Sequence, residues 1–265
     1  MKPFLKWAGG KRWLANRPEF QIPEYSGRYI EPFLGSGAIF FHHNPPVSLL
    51  SDLNGDLIET YLAIKENWSA VYACLEQYQE SHGKDFYYRE RKLARTSASE
   101  RAAQFIYFNK TCWNGLYRVN RLGEFNVPIG TKTKVMSPDD DLEAISNRLS
   151  NSTLSSCDFS DTIEQAGDGD LLFVDPPYTT AHNMNGFLKY NETIFSWEDQ
   201  KRLRDCCEAA SLRGAKVIIL NADHPSVRNL YEGASDITIL DRYSVISGNA
   251  AGRKKTSELL ITLPP

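Results

Sequence analysis

The 265-residue sequence predicts an α/β fold: a Rossmann-like sheet with helices on both faces, interrupted by a mostly helical insert that carries a hairpin. Three observations lead there. Short apolar runs stop at acidic residues, as VSLLSD stops at Asp52 and LLFVD at Asp175, and the carboxyl ends of such buried strands are where open α/β sheets bind ligands. A strand, a loop holding Gly35 and Gly37, and a helix starting near Ala38 succeed one another in RYIEPFLGSGA, the opening unit of a doubly wound sheet. Between residues 61 and 151 the pattern changes to helical spacing and loop residues. The sheet is therefore assigned to residues 1–60 and 152–265, and the insert to 61–151.

Taken in order, FLKWAGGKRW places a Gly-Gly pair between Trp7 and Lys11. Glycines let backbone approach a ligand closely, with an aromatic and a cation on either side; the other reading is a tight turn stabilised by a buried tryptophan. The loop at Gly35 and Gly37 lacks the third glycine of the dinucleotide fingerprint, because Phe40 stands there. Asp52, at the tip of the second strand, is placed to bind ribose hydroxyls, or it forms an Asx turn in SDLNGD. Apolar residues from Leu57 to Tyr78 recur mostly at three and four, predicting a helix broken near Asn67. Helix continues through the next segment, with Phe105, Ile106 and Phe108 near its end. In NKTCWNGLYRVNRLGEFNVPIG, glycines, asparagines and a proline predict loops and a hairpin, with aromatics alternating with Arg118 and Arg121. The Asp139–Asp141 run reads as solvated surface. Further strands are predicted at Leu154–Phe159 with an acidic tip at Asp158, and at Leu171–Val174, Lys216–Leu220, Ile237–Leu240 and Glu258–Leu263. Ser196 caps a helix from Trp197 to Ala210.

Charge is uneven. The net charge is −3, yet residues 84–134 carry 11 basic and 4 acidic side chains, an electrostatic footprint for phosphates or a helix face on which Glu90 and Glu100 pair with their neighbours. Basic residues interleaved with aromatics on a loop-rich insert suit DNA, offering phosphate contacts, guanine-edge donors and wedges. No run of 18 apolar residues occurs, so no membrane-spanning helix is expected, and MKPFLKWAGGKRW is too polar for a signal peptide. Five cysteines without paired spacing fit neither a zinc site nor a disulfide framework. The expectation is a cytoplasmic protein without a metal, associated with the nucleoid when acting on DNA; monomer or oligomer stays open.

The octapeptide LLFVDPPY concentrates the chemistry. Asp175 supplies a carboxylate at a strand end, Pro176 and Pro177 fix the backbone and supply carbonyl acceptors, and Tyr178 adds a flat ring. Acceptors beside a stacking ring suit a planar group with an exocyclic amine, such as a nucleobase. Stacking needs the ring of Tyr178 and not its hydroxyl.

With these pieces assembled, the chain resembles the DNA adenine methyltransferase family. The resemblance rests on FLKWAGGK, YIEPFLGSG, SDLNGDLIETY, NGLYRVNRLGEFNVP, FVDPPY and GRKKTSELL, in the family's order. It implies a Rossmann-like methyltransferase sheet with a target-recognition insert, S-adenosylmethionine as cofactor, and methylation of adenine N6 in double-stranded DNA at GATC. The cofactor would be held by Trp7, Lys11, Glu31, Pro32, Phe33, Gly35, Gly37, Asp52, Asp158, Phe159 and Asp175. The target base would lie against Asp175, Pro176, Pro177 and Tyr178. Trp113, Asn114, Leu116, Arg118 and Pro128 would contact DNA, with Leu116 and Arg118 reading bases, and Arg253, Lys254 and Lys255 would add cationic contacts. Thr111-Cys112-Trp113 departs from the Tyr- and Gly-bearing run of the family. Three rivals stand beside this reading: an N4-cytosine methyltransferase, against which the leading Asp of DPPY argues; a dinucleotide-dependent oxidoreductase, which leaves DPPY unexplained; and a non-catalytic DNA-binding module with a vestigial methyltransferase fold.

Overall fold

The computed structural model describes residues 1–115, 117–120, 123–137, 139–180, 195–243 and 255–264. Its sheet has seven strands in the order β3-β2-β1-β4-β5-β7-β6: β1 (Tyr29–Glu31), β2 (Ser48–Asp52), β3 (Ser152–Ser156), β4 (Leu171–Val174), β5 (Lys216–Ala222), β6 (Asp236–Tyr243) and β7 (Lys255–Thr262). β1 runs parallel to β2 and β4, and β4 parallel to β5, whereas β7 is antiparallel to both β5 and β6. The strand order reverses between β1 and β4, which is the switch point where an open α/β sheet leaves a crevice for ligands.

Two compact units emerge from the chain's internal contacts: Met1–Ala15 with Leu34–Pro46 and Ser51–Ser156, and Asn16–Phe33 with Val47–Leu50 and Cys157–Pro265. The second unit holds the sheet core. Ile30, Leu172, Val174, Val217, Ile219, Leu259 and Ile261 alternate along their strands and pack on Phe159 and Ile163 of α6 (Phe159–Ile163), Leu203, Cys207 and Ala210 of α7 (Trp197–Leu212), and Val227 of α8 (Pro225–Leu230). Residues of opposite parity, Tyr29, Leu171, Phe173, Ile218 and Leu220, are buried as well, with Phe20 edge-on to Phe173 at 5.8 Å. Burial on both faces explains why these strands read as continuous apolar runs. Ser196 caps α7 through a reciprocal pair with Asp199.

In the first unit α1 (Ala38–His43) follows the glycine loop, so His42 and His43 lie in a last helical turn. The long α2 (Gly55–Ser81) starts at Asn54, whose side chain accepts from Leu57 N. It breaks at Asn67, whose φ of −153° and ψ of 68° lie outside the helical region. The Asn67 side chain then accepts from Ala70 N at 3.2 Å and recaps the second half. α3 (Lys84–Glu90) and α4 (Ala98–Thr111) follow, and α2 packs on α4 and α5 (Leu142–Leu149). Glu90, 1% exposed, accepts from Arg95, Tyr78 Oη and Gln104. Desolvation raises its pKa, but these donors win and hold it below the ordinary value.

Two sequence expectations change. The acidic run is not all solvated surface: Asp140 pairs with Lys110 at 2.6 Å, and Asp141 caps α5, accepting from Ala144 N. A single capping side chain before a short helix carries too little periodicity to be read, and α8 escaped for the same reason. The other concerns Asp158, which lies past the end of β3 and caps α6 by accepting from Ser160 N. No helix among the described residues is long and apolar enough to cross a membrane.

Candidate active site

The first unit carries a loop cluster around Trp7. Gly10 N donates to Trp7 O at 3.2 Å, so the Gly-Gly pair is a turn, and Trp7 is half-buried above it. Gly35 has φ +49°, and a Cβ there would stand 2.8 Å from Trp7 Cδ1. The loop therefore needs glycine for both its left-handed backbone and the indole's approach. Gly37, with φ +63°, precedes α1 and lies against the Phe41 ring. Asp52 fixes this loop: Oδ2 accepts from Gly35 N and Oδ1 from Asn54 N, both at 2.9 Å. Burial pushes its carboxyl above the ordinary value, against the opposing pull of those amides. The Asx turn and the strand-tip placement thus hold together, and with the Leu53 amide as a third donor the carboxylate keeps acceptor capacity for one more. Tyr61 Oη donates to Gly35 O at 3.0 Å, and Lys11, 4% exposed, is buried at the far side of the turn. Gly35→Ala is expected to displace Trp7 and to destabilise the loop by roughly 1–3 kcal/mol, the cost of a non-glycine residue in the left-handed region; thermal melting checks it.

The same unit holds the hairpin. Trp113 N donates to Pro128 O, Gly130 N to Thr111 O, Asn120 N to Glu124 O, and Asn126 N to Arg118 O. Among the described residues it forms isolated bridges, Cys112 to Ile129 and Val119 to Phe125. Its aromatics turn inward instead of alternating outward with the arginines. Tyr117 stacks 4.3 Å from Phe105 and 6.4 Å from Trp7, and Phe125 lies 4.6 Å from Phe108. Tyr117 also hydrogen-bonds Asp56. Trp113 is the exception at 54% exposed; beside it Asn114 is left-handed at φ 56°, and Arg118 and Pro128 are exposed. The base of the hairpin is tied to the Trp7 turn. Asn109 accepts from Lys6 N at 2.9 Å and donates to Lys6 O at 2.7 Å, while Lys6 Nζ donates to Asn114 O. Sequence reading missed Asn109, which reads as an ordinary residue near a helix end. Leu116, Arg253 and Lys254 lie outside the described residues, as does the Lys255 side chain. Of the basic segment, Arg95, Arg101 and Lys110 are engaged with Glu90, Glu59 and Asp140, so its surface is less positive than its sequence count.

In the second unit the end of β1 and the end of β4 are neighbours. Glu31, 3% exposed, accepts from Tyr29 Oη at 2.8 Å. Burial foremost, and then the carboxylate of Glu31 with a smaller share from Asp175, pushes the Tyr29 phenol well above its ordinary value. Asp175 is half-buried, and Pro176 behind it is buried. Pro177 O accepts from Gln200 Nε2 at 3.3 Å, and Asn221 Nδ2 donates to Gln200 Oε1 at 2.9 Å, both side chains being wholly buried. Thr179 Oγ1 donates to Phe195 O at 2.6 Å. Tyr178 Oη donates to Glu258 Oε2 at 2.7 Å, so the hydroxyl has a structural task that the sequence did not show.

Asp158 and Phe159 are also committed. Arg202 grips Asp158 with two nitrogens at 2.6 and 2.9 Å and lies 4.2 Å over the Phe159 ring. The Arg202 hydrogen bonds hold the Asp158 carboxyl far below the ordinary range. Phe33 stacks on Phe159 at 5.4 Å and Phe195 sits 5.7 Å from both. Phe33 remains half-buried while Phe159 is 5% exposed, so Phe33 has the more accessible ring. No group of His, Cys, Asp and Glu among the described residues is arranged to hold a metal ion.

Comparison with known proteins decides the class. Residues 7–245 match the family described as D12 class N6 adenine-specific DNA methyltransferase. The chain belongs to this family. The type II methyltransferase M1.LlaDCHI of Lactococcus lactis subsp. cremoris is 34% identical, over 99% of this chain and 95% of its own. DNA adenine methylases of Vibrio cholerae and of Escherichia coli K12 are 34% and 32% identical, each over 100% of this chain and 96% of theirs. The protein is thus an adenine-specific DNA methyltransferase and its substrate is DNA, which sets aside the cytosine, oxidoreductase and non-catalytic alternatives.

Proposed function

We infer that this D12-class methyltransferase takes its methyl group from S-adenosylmethionine and delivers it to the N6 amine of an adenine flipped out of duplex DNA, at GATC. The observation that carries the reading is the Asp175–Tyr178 segment at the switch-point end of β4, with its main chain held by Gln200.

The amine of adenine is a poor nucleophile because its lone pair is delocalised into the ring. Asp175 and the carbonyl oxygen of Pro176 accept its two N–H bonds, which favours the pyramidal amine and frees the lone pair for the methyl group. Fixed acceptors need no reorganisation as positive charge develops on nitrogen, and alignment supplies a further large part of the rate. S-adenosylmethionine, when bound, supplies an intrinsically reactive sulfonium methyl. In the first unit Trp7, Lys11, Gly35, Gly37 and Asp52 are the residues to hold it, with Asp52 binding ribose through its remaining acceptor capacity. A base inside a duplex is reached by flipping, which costs a few kcal/mol. Stacking on Tyr178 offsets part of that, base–aromatic stacking contributing about 1–3 kcal/mol.

Residues 61–151 serve as the target-recognition region. The exposed Trp113 acts as a wedge at the helix axis, and Arg118 donates to guanine in the major groove beside Leu116. Lys254 and its neighbours contact phosphates. Arg118→Ala is expected to relax base choice at one position by about 1–3 kcal/mol, the discrimination of a bidentate arginine–guanine pair, with a smaller loss of overall affinity. Methylation mapped on a library of site variants reads this directly. Mass spectrometry of nucleosides from DNA incubated with the protein and S-adenosylmethionine tests the donor and the product, and sequencing that maps each methylated adenine in the same DNA tests the motif. N6-methyladenine confined to GATC is expected; another motif overturns the specificity, and no product overturns the donor.

A further inference from the structure

Tyr178 is held more completely than stacking alone requires. Its backbone follows two prolines whose φ angles are fixed, Pro177 O is anchored by Gln200, and Thr179 is anchored to Phe195 O. What freedom remains lies in the two side-chain torsions of Tyr178. The hydrogen bond from its hydroxyl to Glu258 Oε2, 2.7 Å long, removes that freedom. Glu258 is itself rigid. It is 4% exposed and sits in β7 between two strands, paired with Ala222 at the carboxyl end of β5 and with Leu240 of β6. A charge buried in a central strand is costly, and apolar residues occupy the following β7 positions Leu259, Leu260 and Ile261.

We propose that Glu258 is a positioning residue for the methyl-transfer reaction: it orients the Tyr178 ring, through the phenolic hydroxyl, so that the extruded adenine meets a ring already in place. This rests on the reading that Tyr178 stacks on the flipped base. The ring then loses no rotamer freedom when the base arrives, and that preorganisation goes into the flipped state. In this role Glu258 acts on the base through the Tyr178 ring, as a positioning residue.

The experiment is a double-mutant cycle on the full-length protein with duplex DNA carrying 2-aminopurine at the target adenine. Glu258→Gln, Glu258→Leu and Tyr178→Phe are compared alone and combined, reading single-turnover rate, 2-aminopurine fluorescence and S-adenosylmethionine affinity. Glu258→Leu and Tyr178→Phe are each expected to lower the rate and the flipped-base signal by roughly tenfold, the loss that follows from leaving one side chain to be ordered on binding. Glu258→Gln keeps an acceptor oxygen and should recover most of both signals, with cofactor affinity unchanged in all variants. Glu258→Leu/Tyr178→Phe should be no worse than either single variant. Full additivity, or Glu258→Gln as damaged as Glu258→Leu, overturns the proposal. Should Glu258→Leu fail to fold, the cycle of Glu258→Gln with Tyr178→Phe carries the same test, since any loss in Glu258→Gln must then vanish in the Tyr178→Phe background. Tyr178→Ala separates the two levels. If it leaves base fluorescence untouched, the stacking reading itself is wrong; if it destroys the signal while Glu258→Leu does not, only the role of Glu258 is.

Discussion

Asp175→Ala is expected to abolish methyl transfer while DNA binding persists within a few-fold. The carboxylate stands at the carboxyl end of β4, half-buried, with its charge felt by the Tyr29 phenol across the switch point. Its task is to accept an N–H of the amine, and it need not be the final proton sink. Once methylated, the nitrogen is cationic and strongly acidic, and it releases its proton to Asp175 or to water. Asp175→Asn discriminates further. The amide still accepts one hydrogen bond but carries no charge, and hydrogen bonds to charged groups contribute about 1.5–3 kcal/mol. A residual rate roughly ten- to hundredfold below the parent is expected for Asn, against none for Ala. Single-turnover measurements at saturating DNA and cofactor decide; near-normal methylation by Asp175→Ala would falsify the assignment of the chemistry to this strand end.

Asp52→Ala comes next in size, and it should act twice. The carboxylate is proposed to hold the cofactor ribose, and it accepts from Gly35 N and Asn54 N. Removing it leaves those amides without their acceptor and loosens the loop against which Trp7 packs. Each hydrogen bond to a charged group contributes about 1.5–3 kcal/mol, so cofactor affinity should fall at least about tenfold and the melting temperature should fall as well. Asp52→Asn keeps one acceptor oxygen and should lose less of both. Titration calorimetry and thermal melting separate the two effects, and unchanged cofactor affinity in Asp52→Ala removes this residue from the site.

The strands and the helix break were legible because they follow from short-range rules. The apolar runs ending at Asp52 and Asp175 mark β2 and β4, and the failure of helical spacing near Asn67 marks the break in α2. What the sequence left hidden lies in long-range partners. The Gln200–Asn221 pair behind Pro177, the Arg202 grip on Asp158 and the Tyr178–Glu258 bond each join residues far apart in the chain, and no local pattern announces such contacts. Sequence reading placed the hairpin aromatics beside the arginines for DNA, yet Tyr117 and Phe125 pack inward. An aromatic in a loop-rich segment carries no local mark of which way it faces, and only Trp113 stays at the surface.

The pairing of β1 with β4 also constrains how the chain becomes a protein. Tyr29 sits beside Leu171, and everything between them, the whole basic segment included, is made before β4 exists. Until then β1 has an open edge and its apolar side chains lack the neighbour that covers them, the condition under which chains associate wrongly. Pairings this distant in sequence carry a large loop-closure cost and fold slowly. The first unit draws on three separate stretches ending at Ser156 and the second needs β7, nearly the last strand residues of the chain. The strand order thus leaves the nascent polypeptide with an uncovered β1 for most of its synthesis, and a shortened chain lacking β7 loses Leu259 and Ile261 from the core as well as an edge of the sheet.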